Sequence, residues 1–333
     1  VYICGEFRGS ANFGSNTLNS LGGADIFVAK LDAAGNWLWV SHAGSSTDDV
    51  AYDIAVDASG NTYITGAYRN GAVFGSTTLT ATGSSTNIFV AKLDSNGNWL
   101  WAAKASGEYT EYGASIAVDG WGNTYVTGMF DSTITFDRHT MTTNGARDIF
   151  IAKLSPSGTW LWAVNAGGGS WDEGYDIDVD VEGNAFVAGY FNGTATFGSQ
   201  TLTSGGGIDI FVAKLSSNGN WLWAVQAGGT ADDRLHGIAL DGSGNAWVTG
   251  IFCLAASFGS HTLTATSYGD IFVAKLDPSG NWLWAAQAGG TVDDRGHGIA
   301  LDGSGNAYVT GYFNRTATFG SHSLAVSGYD SDI

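Results

Sequence analysis

The stretch DIFVAKLDAAGNWLW, residues 25–39, decides the fold because it returns along the chain with almost no change. Further copies begin at residues 87, 148, 209 and 270, so the spacing is 61 to 62 residues. Self-similarity at a fixed period of this length is typical of a repeat architecture, not of a series of unrelated domains. The 333 residues hold about five and a half copies, and the chain ends as another copy begins.

Each copy contains four segments with the alternation of a half-buried β-strand, which we name A to D in chain order. In strand C of the first copy, Phe27 and Leu31 share one face and Val28 lies on the other. Both faces are apolar, so each sheet needs a neighbour on both sides, as when blades stack around an axis. Turns of the form D-x-x-G-N join A to B, and similar turns that begin with Asp or Ser join C to D; the Asp or Ser can bond the turn backbone, and Gly supplies a positive φ.

These features predict an all-β chain, a β-propeller of four-stranded antiparallel blades. An insertion of about 18 residues between strands B and C, with an FGSxTL core, predicts an additional hairpin in each blade. The B–C hairpins and D–A connections would then lie at one end of the blades, and the A–B and C–D turns at the other. We predict a single repeat domain with the blade units 1–49, 50–111, 112–172, 173–233, 234–294 and, in part, 295–333.

The pattern xGIAxDxxGNxYVTGxF followed by DIFVAKLDxxGNWLW resembles the SBBP repeat family, the seven-bladed β-propeller repeat of bacterial exported and surface proteins. The resemblance covers nearly the whole chain, and NHL-type propellers are similar in a looser way. It implies seven blades and an extracellular or cell-surface location. The repeat count alone leaves five to seven blades open, because the chain begins at a strand B and ends as a strand C begins. We expect the natural chain to extend beyond both ends.

The charge balance argues against two classes of partner. Lys and Arg total 13 against 31 acids, a net charge of −18, so nucleic acid would be repelled at long range. The longest apolar run, residues 251–256, is far too short to insert into a membrane. Cys4 and Cys253 fall at different repeat positions, so they predict no repeated disulfide.

One repeat position carries an acid in all five D–A connections, and it is the first candidate site. In a closed ring these carboxylates could recruit Ca²⁺ or a cationic ligand near the central channel. The simpler interpretation, which repetition in every blade favours, is that each carboxylate bonds loop amides. The five residues are Asp49, Glu111, Asp172, Asp233 and Asp294.

Two histidines follow this acid by three residues, His236 in TADDRLHG and His297 in TVDDRGHG. Histidine beside paired Asp suits a transition metal, but neither segment has the ligand spacing of a zinc site. A position at the rim of the blades is the alternative. These two copies break the repeat, since the other units carry Tyr or Ala there.

The tryptophans also fall into two groups, those at repeated positions and those outside the repeat pattern. Ten of the 13 tryptophans lie in the Trp-Leu-Trp strand, where packing between blades is the first interpretation and stacking on sugars the second. Trp121 and Trp171 fall in an A–B turn and a D–A loop, outside this pattern. We therefore predict that both are exposed contact residues.

Signatures of the common enzyme families are missing, because the chain has no G-x-S-x-G, P-loop, CxxC or HExxH motif. The sequence therefore favours a non-enzymatic, secreted or cell-surface module for interaction or adhesion, with a protein or a surface polysaccharide as partner. A glycan-binding, lectin-like propeller is the alternative. A hydrolase or lyase with a site in the central funnel is the third hypothesis, and Ca²⁺ is the single cofactor considered.

Overall fold

The computed structural model describes residues 1–81, 85–266 and 268–326, and the backbone of residues 331–332. All the regular secondary structure in these residues is β, and all strand pairs are antiparallel, which confirms the all-β class. The same residues contain no helix that is long and apolar enough to cross a membrane. The chain divides into two compact units, Val1–Asn165 and Ala166–Ile333. The single repeat domain, the number of blades and the closure of a ring stay predictions.

The first unit contains three repeats, each an antiparallel meander that we call a blade. Blade 1 lacks a strand A, whereas blades 2 and 3 have all four strands and the added hairpin. Their strands are β1 (Tyr2–Phe13), β2 (Asn16–Leu31) and β3 (Trp37–Ala43), then β4 (Val50–Val56), β5 (Thr62–Tyr68), β6 (Ala72–Phe74), β7 (Thr77–Leu79), β8 (Asn87–Leu93) and β9 (Trp99–Gly107), then β10 (Glu111–Val118), β11 (Thr124–Phe136), β12 (His139–Leu154) and β13 (Trp160–Gly168), whose last three residues belong to the second unit.

The second unit continues the same order through blades 4 and 5 and into blade 6. Blade 6 has strands A and B, the hairpin and a short piece of strand C. The strands are β14 (Glu173–Val179), β15 (Ala185–Phe197), β16 (Gln200–Leu215) and β17 (Trp221–Gly229), then β18 (Arg234–Leu240), β19 (Ala246–Phe252), β20 (Ala255–Phe258), β21 (His261–Thr264), β22 (Asp270–Leu276) and β23 (Trp282–Gly290), then β24 (Arg295–Leu301), β25 (Ala307–Asn314), β26 (Thr316–Phe319), β27 (His322–Ala325) and β28 (Ser331–Asp332).

The predicted B–C hairpin is present in every blade. In blades 1, 3 and 4 strands B and C run on into it without a break, as in the pairing of Thr194 with Thr203. In blades 2, 5 and 6 it forms separate short strands. The chain enters each hairpin through a residue with positive φ, in blade 2 through two in succession, Asn70 and Gly71, and Leu254 (φ 58°) takes this conformation without being glycine.

The hairpin also links neighbouring blades, which the sequence did not reveal. The end of strand D in one blade pairs with the first hairpin strand of the next, as in Gly228 with Ser257 and Gly229 with Ala256. Equivalent pairs join β9 to β11 in the first unit and β23 to β26 in the second. Backbone groups of the first hairpin strand are therefore used on both of its sides.

Aromatic packing holds the hairpin against its own blade. Phe197 is fully buried, with its ring centroid 4.9 Å from that of Phe211 and 5.4 Å, edge to face, from that of Trp221. The second Trp of the pair reaches the next blade, since Trp223 donates its indole N–H to the Pro278 carbonyl at 3.1 Å. The same contacts recur in other blades, so the Trp-Leu-Trp strand serves packing within and between blades.

Candidate functional site

The repeated acid of the D–A connection is fully buried at all five positions, Asp49, Glu111, Asp172, Asp233 and Asp294. The carboxylate of Asp233 shows the arrangement, because it accepts the amides of Gly229 and Cys253, each at 2.8 Å. It thus joins the end of strand D in one blade to the start of the hairpin in the next. Asp172 and Asp294 accept amides in the same two places.

Burial raises the pKa of four of these acids, Asp49, Glu111, Asp233 and Asp294. The pKa of Glu111 rises to about 8, that of Asp233 to about 7 and that of Asp49 to about 6, in each case chiefly because the charged form loses its hydration. Backbone amides oppose the shift by favouring the charged form. Near neutral pH Glu111 and Asp233 are therefore largely or partly protonated, and a buried, protonated carboxyl is a weak ligand for a cation.

The sequence suggested two metal sites, one at the D–A acids and one at the two histidines. Across the described residues, no group of three or more His, Cys, Asp or Glu side chains is placed to hold a metal ion. Cys4 and Cys253 are free thiols whose pKa is raised by burial, to about 12 and about 11, so both stay protonated at neutral pH. The calcium site remains a sequence-based hypothesis.

A second set of acids, which the sequence reasoning missed, connects the strands A of adjacent blades. The Asp53 carboxylate accepts the amide of Ile116 at 2.8 Å and the hydroxyl of Ser115 at 2.7 Å. In the second unit Asp176 accepts the amide of Ile238 at 2.7 Å. An aspartate within an otherwise apolar strand, as in YDIAV, is the signal that could have found them.

His236 and His297 lie on adjacent strands A, β18 and β24, and their rings stack. The ring centroids are 5.4 Å apart and the planes differ by 25°. Tyr175 extends the row on one side, 5.1 Å from His236, and Tyr312 extends it on the other, 5.5 Å from His297. The structure therefore joins the two predicted histidines to two tyrosines in one continuous row of rings.

Two arginines flank this row, each two residues before a histidine. Arg234 pairs with Asp232 at 3.2 Å, and its guanidinium lies 5.8 Å from the centroid of the Tyr190 ring. Arg295 lies 5.9 Å from the centroid of the Tyr312 ring. We call Tyr175, Arg234, His236, Arg295, His297 and Tyr312 the inner-strand cluster.

The hydrogen bond of His236 defines its tautomer. Nδ1 lies 2.9 Å from the carbonyl oxygen of Gly296, which can only accept, so Nδ1 carries the proton. Burial, with further contributions from His297 and the arginines, lowers the pKa of His236 to about 4. The ring is therefore neutral near pH 7, and its Nε2 is an acceptor. The cluster can bind a ligand through ring faces, this acceptor and two guanidinium groups.

Trp121 and Trp171 are both exposed, with 64 % and 63 % of their surface accessible. Trp121 lies in the A–B turn of blade 3, and Trp171 lies in the D–A loop that precedes strand A of blade 4. They belong to different units of the chain. Trp171 is at the hairpin-bearing end of its blade, the end at which strand A begins, whereas Trp121 is at the opposite end of its own.

Comparison with known proteins supports the repeat. Residues 283–312 match the beta-propeller repeat family SBBP, which confirms the resemblance that the sequence predicts. The chain is 26 % identical over 93 % of its length to an uncharacterized WD repeat-containing protein of Acanthamoeba polyphaga mimivirus, and it spans 28 % of that protein. A solved structure of a protein of unknown function from Bacteroides caccae aligns with 85 % of this chain and 93 % of its own, at 11 % identity and a TM-score of 0.37.

Proposed function

We propose that this chain is a non-enzymatic binding module, secreted or at a cell surface, that recognises a protein or a surface polymer through the hairpin-bearing end of its blades. One observation carries the proposal. The side chains that keep the repeat are used inside the fold, whereas the arginines and histidines by which blades 5 and 6 depart from it gather in the inner-strand cluster.

Side chains at the repeated positions are already engaged in contacts within the fold. Lys275, for example, pairs with Asp241 at 2.9 Å and lies 4.5 Å from the centroid of the Trp247 ring. The D–A acids bond amides, and the paired tryptophans pack between and within blades. Specificity must therefore come from positions where one blade differs from another.

The family match and the WD-repeat relative support a protein-interaction module in general terms. The composition agrees with an exposed location, because a net charge of −18 favours solubility and disfavours anionic membranes and nucleic acid. A hydrolase or lyase acting in the funnel is the competing hypothesis.

The test is binding of the labelled chain to bacterial surfaces and to arrays of purified surface polysaccharides and proteins. We expect saturable binding that is lost in the double variant Arg295→Ala/His297→Ala. The matched control is Val181→Ala, an exposed residue in the A–B turn at the opposite end of blade 4, which should bind as the unmodified chain does. Failure to bind any member of the panel, equal loss in the control, or release of shortened polymer would contradict the proposal.

A further inference from the structure

We infer that the inner-strand cluster binds the carboxylate groups of an acidic polysaccharide, a polymer of uronate type. This inference rests on the proposed function and names the ligand of the same surface. It starts from the position of two arginines. Arg234 and Arg295 occupy the same repeat position on adjacent strands A, each followed two residues later by a histidine, and nowhere else does the chain have the sequence Arg-x-His.

Arg295 is the cation that is available to an anionic ligand. Within the described residues no carboxylate lies within ion-pair distance of it, and its Nε is buried and makes no hydrogen bond. The positive charge of Arg295 is therefore not balanced by an ion pair with a neighbouring acid. The guanidinium fork matches a carboxylate in a bidentate geometry, and Tyr312 supports its flat face.

The row of rings favours a sugar over an extended acidic peptide. The rings of Tyr175, His236, His297 and Tyr312 succeed one another at 5.1 to 5.5 Å, and the exposed His297 lies between His236 and Tyr312. The exposed edge of the His297 ring can lie against the apolar face of a pyranose, and Nε2 of neutral His236 can accept a hydrogen bond from a hydroxyl. The cluster therefore offers separate contacts to the ring and to the carboxylate of a uronate.

Neighbouring acids restrict the charge density of the ligand. Asp232 pairs with Arg234, and Glu173 accepts the hydroxyl of Tyr190 at 2.6 Å, so negative charge lies beside the cluster. A dense anion such as a polyphosphate would be repelled by this surrounding charge. A polymer with one carboxylate on each sugar ring can place single carboxylates on the arginines and its neutral surface elsewhere.

The experiment is calorimetric titration of the full chain with hexagalacturonate, with its methyl ester and with poly-L-glutamate. We expect hexagalacturonate to bind, and at least a tenfold loss of affinity on esterification, because the ester keeps the rings and removes the charge. Arg295→Ala should weaken binding at least tenfold, and Arg295→Lys should weaken it less. Lys30→Ala, which removes one positive charge beside the C–D turn at the opposite end of blade 1, should have no effect.

The outcomes separate this inference from the proposed function. Equal binding of acid and ester would show a neutral glycan site, and equal binding of poly-L-glutamate would show a site for acidic peptides. Either result overturns the inference and leaves the binding module intact. If none of the three probes binds but the chain still binds bacterial surfaces, the inference is also overturned and the binding module is again left intact. A variant is used only if its unfolding midpoint equals that of the unmodified chain. If Arg295→Ala does not fold, Arg295→Lys takes its place.

Discussion

The strands A of blades 2 and 3 and those of blades 5 and 6 have the same backbone pattern and different chemistry. In the first unit, Tyr52 and Tyr112 meet at 5.6 Å between centroids, and the Asp53 carboxylate bonds the next strand. In blades 5 and 6 glycine stands at the position of Asp53, the histidine pair lies beside two arginines, and a hydrogen bond from His236 to the Gly296 carbonyl joins the two strands instead. The scaffold thus accepts different side chains on its inner strands, provided that one of them still connects adjacent blades.

The largest expected effect is the loss of the Asp53 connection. Asp53→Ala leaves the amide of Ile116 and the hydroxyl of Ser115 without their partner, which we expect to lower the free energy of unfolding by about 3 kcal/mol. His236→Ala removes one bond to a carbonyl and should cost about 1 kcal/mol. Urea unfolding followed by tryptophan fluorescence measures both. Equal costs would show that the two connections are equivalent.

An intermediate effect concerns pH and the buried acid Glu111. Its pKa is raised to about 8 from an ordinary value near 4.5, so the folded protein holds this proton while the unfolded chain has lost it. The contribution of Glu111 to stability therefore falls as pH rises from about 5 to about 8. Gln cannot ionise, so the free energy of unfolding of Glu111→Gln relative to that of the unmodified chain should increase by up to about 4 kcal/mol between pH 5 and pH 9.

Two comparisons test the direction of this pH dependence. Asp233→Asn should show the same trend over a narrower range, because the pKa of Asp233 is raised only to about 7. Hydrogen bonds from Asn98 lower the pKa of the turn acid Asp94, so its contribution is present above about pH 4 and is lost as pH falls. A flat difference between Glu111→Gln and the unmodified chain would show that Glu111 is ionised in the fold.

The smallest effect is expected at His297. His297→Tyr gives blade 6 the residue that Tyr52 supplies in blade 2, and the site is exposed, so stability should change by less than about 0.5 kcal/mol. His236→Tyr should cost more, because it also removes the bond to Gly296. Thermal unfolding of both variants tests the distinction. A large loss in His297→Tyr would mean that the ring stack itself stabilises the blades.

Much of the fold could be predicted from the chain because it depends on local chemistry. The strand alternation in residues 26–31 and the D-x-x-G-N turns act over a few neighbouring residues, and repetition confirms each assignment several times. The structure shows the predicted hairpin around Phe197 for the same reason. The sequence also singled out Asp233 and His236 as candidate site residues, but it did not show which backbone groups they bond.

The sequence by itself thus determined the repeat, its strands, its turns and the places where the repeat is broken. Only the tertiary structure decided that the hairpins pair with the preceding strand D, that the D–A acids are buried among amides, and that His236 and His297 stack between two tyrosines. The physical reason is distance along the chain. Gly228 meets Ser257, and His236 meets Gly296, across neighbouring blades, so these contacts depend on how blades pack and not on the residues beside them in sequence.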